Sequence, residues 1–114
     1  MAKAAFVPGA GDFVWWTFDP QAGHEQARRR PALVLSPKIY NVKSGLALVC
    51  PVTSQVRGYP FEVAVPAGIA TPGVILADQL KSIDWRARRA EFLGRCTTET
   101  IDDLRAKLAP LLGF

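Results

Sequence analysis

Apolar and polar positions along this chain fall into short blocks divided by turn residues, and the blocks carry two periods. Asp12-Phe13-Val14-Trp15-Trp16-Thr17-Phe18 is dense in aromatic and β-favouring residues and predicts a first strand, which Asp19-Pro20 ends. Ala32-Leu33-Val34-Leu35-Ser36 predicts a second strand, closed by Pro37. Ile39 to Gly45, with Asn41 and Gly45, predicts a turn or one helical turn. Leu46 to Cys50 is an unbroken apolar run that suits a strand covered on both faces, with Pro51 limiting it or marking a bulge. Phe61 to Val65 alternates as a half-buried strand does. Gly73 to Ala77 predicts another strand and Ala90 to Gly94 a last one, while Asp78 to Asp84 mixes periods and fits either a strand or a turn.

The C-terminal segment changes to the helical period. Thr97 or Thr98 caps the helix, and Glu99, Asp102 and Asp103 favour its positive end. Ile101, Leu104, Leu108, Leu111 and Leu112 form one apolar stripe. Pro110, lacking an N–H, is expected to bend or end the helix near residue 106. Residues 1–11 read as a loose lead-in. Five or six short strands and one helix predict a mainly β domain over residues 1–114, a small antiparallel barrel or sandwich with a C-terminal α-helix. The helix stripe packs on the barrel or on a partner chain.

Composition narrows the class. Apolar residues at 49% and charged residues at 21% make this a globular chain, long enough for one modest core. Lys and Arg total 14 against 10 acidic residues, a net charge of +4. That excess acquires meaning from its clustering at Arg28 to Arg30 and at Arg86, Arg88 and Arg89, which fits a polyanionic partner. Cys50, Cys96 and the single His24 show no metal-ligand spacing, and reduced thiols in a cytoplasmic protein are expected. No signal peptide is read at the start, and no apolar window reaches the roughly 18 residues of a membrane span.

The most informative segment runs from Phe18 to Pro31. It is a loop held between two strands, and it carries three arginines, Glu25 and His24. A guanidinium fork matches phosphate oxygens two at a time, so a phosphate-bearing ligand is expected there. Phosphate-cradling and dinucleotide glycine motifs are absent, one histidine excludes a two-histidine nuclease within one chain, and the carboxylates are scattered. Metal-free phosphoryl chemistry remains, for which RNA brings its own nucleophile, the 2′-hydroxyl. Arg30 can offset the charge of a phosphorane, Glu25 can act as base or orienter, and Thr53 or Ser54 can donate to a phosphate oxygen. Gln55 and Gln79 have amides suited to base edges, and Lys81, Arg86 and Arg88 suit phosphates. Phe18 and Arg57 join them in the substrate-binding set. His24 reads as a plain loop histidine. Trp15 and Trp16 face opposite ways on a regular strand, one toward the core and the other toward a base or a subunit contact.

Several motifs in order carry a resemblance. They are Phe18-Asp19-Pro20, Gly23-His24-Glu25-Gln26-Ala27, Arg30 to Pro37, Tyr40-Asn41, Pro51 to Gln55, Gly58 to Val63, and Ala77 to Arg88. Over roughly residues 10 to 112 the chain closely resembles the MazF/PemK family of toxin endoribonucleases. The resemblance implies an SH3-like β-barrel with a terminal helix, working as a homodimer without a cofactor or metal. It implies sequence-specific cleavage of single-stranded RNA, especially mRNA, and inhibition by a labile acidic antitoxin of the MazE type. It makes Arg30 the expected catalytic arginine, Thr53 its partner and Glu25 a glutamate that matters for activity, with Gln79 and Lys81 where the family contacts RNA. Arg28 replaces a frequent glycine and Arg57 a common lysine, which bears on the cleaved sequence rather than on cleavage. The alternative is a non-catalytic toxin on the same fold that binds nucleic acid or gyrase.

Overall fold

The computed structural model describes residues 6–17 and 29–114. Seven strands and two α-helices follow in order: β1 Asp12–Thr17, β2 Arg29–Val34, α1 Lys38–Ser44, β3 Leu46–Thr53, β4 Glu62–Ala64, β5 Val74–Leu76, β6 Lys81–Asp84, β7 Glu91–Arg95 and α2 Thr98–Leu112. A 3₁₀ turn, Ala77–Gln79, links β5 to β6. Every pairing is antiparallel, in the order β4-β5-β3-β2-β1-β7 with β6 also on β3. The expected small, mainly antiparallel β fold with a C-terminal helix is present; among the described residues the path from β4 to β7 does not close on itself, so its barrel is an open, bent sheet.

The bend begins at β3. Its first half pairs with β6 as far as Val49↔Lys81, and its second half pairs with β5 from Val52↔Ile75. Pro51 sits where one partner gives way to the next. Pro51 limits the strand or marks a bulge on the sequence reading, yet β3 runs on to Thr53, because a residue without an N–H is tolerated where the ladder changes partner. Pro110, read as bending or ending the helix near residue 106, lies inside α2, which continues to Leu112; it removes one N–H to the Ala106 carbonyl, a local loss close to the helix end. Its missing N–H falls in the last turn, and the helix closes just beyond it on a left-handed Gly113 (φ 84°). Thr97 is the N-cap, its hydroxyl accepting the Thr100 N–H at 3.2 Å.

Strand alternation builds two apolar clusters on opposite faces. Phe13, Leu33, Cys50, Val52 and Ile75 meet Leu104 and Leu108 of α2. Val14, Trp16, Ala32, Val34, Ala47 and Val49 meet Ile83 and Trp85. Of the tryptophan pair, Trp16 is the buried one, at 2% exposure. β3 is not covered throughout: Leu46 and Leu48 are exposed because neither cluster extends over them. Leu111 and Leu112 of the α2 stripe are likewise exposed.

The Ile39–Gly45 segment, read as a turn or one helical turn, belongs to the seven-residue helix α1, Lys38–Ser44, with Gly45 as its C-cap. Its inward residue, Asn41, organises the second cluster. The Asn41 amide nitrogen donates to the carbonyls of Pro8 (2.7 Å) and Ser36 (3.0 Å), and its Oδ1 accepts from the Ser36 hydroxyl (2.5 Å). Its backbone carbonyl accepts the Trp85 indole N–H at 2.9 Å. Cys50 and Cys96 are free and buried. Burial, with a smaller contribution from the Asp78 charge, pushes the Cys50 thiol up to about 12. Burial also raises Cys96, against the opposing pull of Thr97, Thr100 and Arg95.

Candidate active site

The sheet register brings distant residues into one row. Trp16 pairs with Arg30 across β1 and β2, and Ala32 pairs with Pro51 across β2 and β3. Continuing the second register by two residues sets Arg30 opposite Thr53. Side chains at alternate positions share a face, so Arg30 lies on the side of Ala32 and Val34, and Thr53 on the side of Pro51 and Val49. Both therefore face the side that holds Trp16.

These residues line a cavity of about 460 Å³. Arg30 and Thr53 share its wall with Gln55, Arg57, Gln79 and Lys81. Three cations thus meet two carboxylates, Glu62 and Asp78, and three rings, Trp16, Tyr59 and Phe61. Tyr59 and Phe61 are in ring contact, tilted at 42° with 5.3 Å between centroids. The Lys81 ammonium stands 5.8 Å and the Arg88 guanidinium 5.7 Å from the Trp16 ring, within cation–π range. Trp16 is buried, so its ring backs the two cations, while Tyr59 is exposed on the same wall; cations together with one exposed ring suit a single-stranded nucleic acid, whose phosphates and bases need one of each.

Thr53 is held at the end of β3 by two contacts. Its hydroxyl accepts the Gln55 N–H at 3.1 Å, which leaves the hydroxyl proton to donate elsewhere. Gly73 (φ +119°) lies so close that a Cβ there would stand 2.0 Å from the Thr53 carbonyl oxygen and 2.9 Å from the Ser54 Cα. Gly73→Ala is therefore expected to displace Thr53. With Thr53 in the role that the family resemblance implies, nuclease assays should show a drop in RNA cleavage of at least about tenfold, since misplacement by 1 Å costs up to 10²-fold. Cleavage at the wild-type rate would show that the strand end absorbs the clash harmlessly.

Arg29, on the opposite face from Arg30, pairs with Glu91 of β7. The Thr17 N–H donates to the Arg88 carbonyl at 2.7 Å, and the Arg88 guanidinium reaches the Thr17 carbonyl at 3.4 Å. Both stems of the arginine loop are thereby tied to the segment leading into β7. Phe18, His24, Glu25 and Arg28 lie outside the described residues. Ser54 is exposed and not on the cavity wall, and the Arg86 guanidinium lies 4.6 Å over the Trp85 ring. Trp16, Tyr59, Phe61, Glu62 and Asp78 were not singled out as site residues from the sequence. The Tyr59-Pro60-Phe61-Glu62 run between a polar loop and a strand was the available signal. Among the described residues no three His, Cys, Asp or Glu side chains gather as metal ligands do, and no helix is long and apolar enough to cross a membrane.

Fold and cavity together define a small antiparallel β protein with one C-terminal helix and a cationic, ring-lined groove for a polyanion. Residues 10–112 match the model of the PemK-like, MazF-like toxin of type II toxin-antitoxin systems, and the chain belongs to that family. It is 50% identical over 108 residues to the endoribonuclease toxin MazF of Escherichia coli, covering 95% of this chain and 96% of that protein. It is 36% identical over 100 residues to the endoribonuclease PemK of Escherichia coli, covering 84% of this chain and 75% of the relative. The crystal structure of MazF from Deinococcus radiodurans is similar at a TM-score of 0.86 and 55% identity, over 96% of this chain and 100% of that one. A MazE–MazF structure (Form-III) from the same organism matches at 0.87 and 52% identity, over 96% and 99%.

Proposed function

We propose that this chain is a cytoplasmic endoribonuclease toxin that cuts single-stranded RNA at specific sequences without a metal, acting as a homodimer. The observation that carries the reading is that Arg30 and Thr53, from different strands, line one cavity. Its relatives at 50% and 36% identity bear the name endoribonuclease.

The RNA 2′-hydroxyl attacks the adjacent phosphorus in line as it loses its proton, the bond from phosphorus to the 5′-oxygen breaks, and that oxygen takes up a proton from solvent water. The products are a 2′,3′-cyclic phosphate and a 5′-hydroxyl end. Arg30 offsets the charge that gathers on the equatorial oxygens, and the Thr53 hydroxyl donates to one of them. Glu25, in the loop between β1 and β2, takes the proton from the 2′-hydroxyl or orients it. Gln55 and Gln79 read base edges, while Arg57 and Lys81 hold flanking phosphates. Ser54 and Arg86 extend the substrate contacts beyond the cavity, and Phe18 completes the substrate-binding set. An acidic antitoxin of the MazE type competes for the same positive surface, with affinity falling as salt rises. The Deinococcus MazF similar to this chain occurs in structures with MazE.

The test uses purified protein and a long natural transcript in EDTA. Discrete fragments are expected, and intact RNA would favour a non-catalytic binder. Replacing a single 2′-hydroxyl by hydrogen at a mapped cut is expected to abolish cleavage there and leave other cuts unchanged. Continued cutting at the substituted position would refute the mechanism.

A further inference from the structure

The segment between β3 and β4 carries Gln55, Arg57, Tyr59 and Phe61 to the cavity wall. Residues 54–60 are exposed, so packing does not hold this segment in shape. An unpinned loop would lose conformational freedom on meeting RNA, and affinity would fall accordingly. One side chain does the pinning. Glu62, at the start of β4, accepts the Arg57 N–H on Oε2 (3.1 Å) and the Gly58 N–H on Oε1 (3.0 Å). Its own N–H donates to the Tyr59 carbonyl at 3.1 Å. Gly58 takes a left-handed φ of +80° with open space around it, which lets two successive N–H groups converge.

Such a pair of N–H groups forms a small anion-binding concavity. Here the chain's own carboxylate fills it. A free carboxylate on the wall of a groove for phosphates would repel the ligand. Glu62 has one lone pair of each oxygen engaged by the loop backbone instead. The hold passes on to side chains, because the Arg57 guanidinium donates to the Gln55 Oε1 at 3.3 Å. That contact leaves the Gln55 amide N–H groups to face a base acceptor.

We propose that Glu62 is a positioning residue for RNA recognition: it pre-forms the loop so that Arg57 and Gln55 meet RNA in a set geometry. The proposal rests on the RNA-cleaving reading above and adds a residue that does not itself touch the reacting phosphate. Glu62→Gln keeps the shape but turns an amide NH₂ toward one of the two backbone donors. Glu62→Asp keeps the charge but is one methylene too short.

The experiment measures cleavage kinetics in EDTA and, separately, Kd for a fluorescein-labelled, 2′-fluoro single-stranded RNA that cannot be cut. Wild type, Glu62→Gln, Glu62→Asp, Arg57→Ala and the double variant Arg57→Ala with Glu62→Gln are compared. Both Glu62 variants are expected to raise KM and Kd roughly tenfold with kcat within about twofold, the size of one or two charge-assisted hydrogen bonds. Because Glu62 acts through Arg57, the double variant is expected to bind no more weakly than Arg57→Ala alone. Wild-type Kd in either single variant, or independent multiplication of the two effects in the double, would overturn the proposal. A wild-type protein that leaves RNA intact would sink the nuclease reading, while the Kd comparison would still decide the role of Glu62.

Discussion

Arg30→Ala is expected to lower kcat/KM for RNA cleavage by roughly 10²–10³-fold while leaving the protein folded, the size of effect seen when one preorganised donor to developing charge is removed. The argument runs from the register. Arg30 stands in β2 on the face of Ala32 and Val34, but at the end of the strand, where it lines the cavity and is exposed rather than packed. Truncation therefore removes little buried surface, and the melting temperature should stay within a few degrees. Arg30→Lys retains the charge and loses the planar fork that grips two phosphate oxygens, so its activity should fall between wild type and alanine. Thr53→Ala should cost about 10²-fold, and the double variant less than the product of the two, because both groups serve one phosphate. Single-turnover cleavage of an end-labelled RNA, with thermal unfolding as the folding control, makes the measurement. Near-wild-type cleavage by Arg30→Ala would remove Arg30 from the chemistry.

The largest expected loss of stability is at Asn41, far from any chemistry. Its side chain is fully buried, and it joins Pro8 and Ser36 to α1 through three hydrogen bonds. The Ser36 hydroxyl in turn accepts the Leu48 N–H at 2.8 Å, so the network reaches β3. Asn41→Leu keeps the branching and heavy-atom count of the side chain, with bulkier methyl groups, but satisfies none of these partners. It leaves the Pro8 and Ser36 carbonyls and the Ser36 hydroxyl proton without their partner in a dry interior. At about 1–3 kcal/mol for each unsatisfied buried group, the expected loss is about 3–5 kcal/mol. For a domain of this size that corresponds to a fall in melting temperature of roughly 10–20 °C. Urea unfolding of the variant checks it, and a loss below about 1 kcal/mol would show that the network relaxes or takes in water.

These two residues show different degrees of legibility. Arg30 stood out because three arginines in a segment read as a loop between strands have few structural uses and one clear chemical one, although the structure draws Arg29 and Arg30 into β2, paired with Thr17 and Trp16. Asn41 read only as a turn residue, since its carbonyl partner at Pro8 is 33 positions away and local pattern carries no trace of it. Residue type alone left Thr53 and Ser54 open, because adjacent hydroxyls on an extended chain differ only in the face they occupy, and only the family motif favoured Thr53. Glu62 passed as an ordinary member of an alternating strand. Its use lies in the two loop amides it accepts, and loop geometry is not a matter of residue pattern. The prolines misled in the opposite sense. Pro51 and Pro110 are strong local breakers, but Pro51 lies where β3 changes partners and Pro110 lies two residues before the end of α2, so little regular structure depends on the bond each one lacks.

Strand order along the chain, the capped terminal helix, the basic loop and the family motifs were all carried by the residues themselves. Each depends on short-range preferences: a period of two or of about 3.6, a capping hydroxyl, a cluster of like charge. The tertiary structure alone decided which residues share a cavity, that the sheet stays open, and that β3 changes partners at Pro51. Those outcomes depend on register between strands distant in sequence. A one-residue slip would move every side chain to the other face, so only the packed sheet selects it.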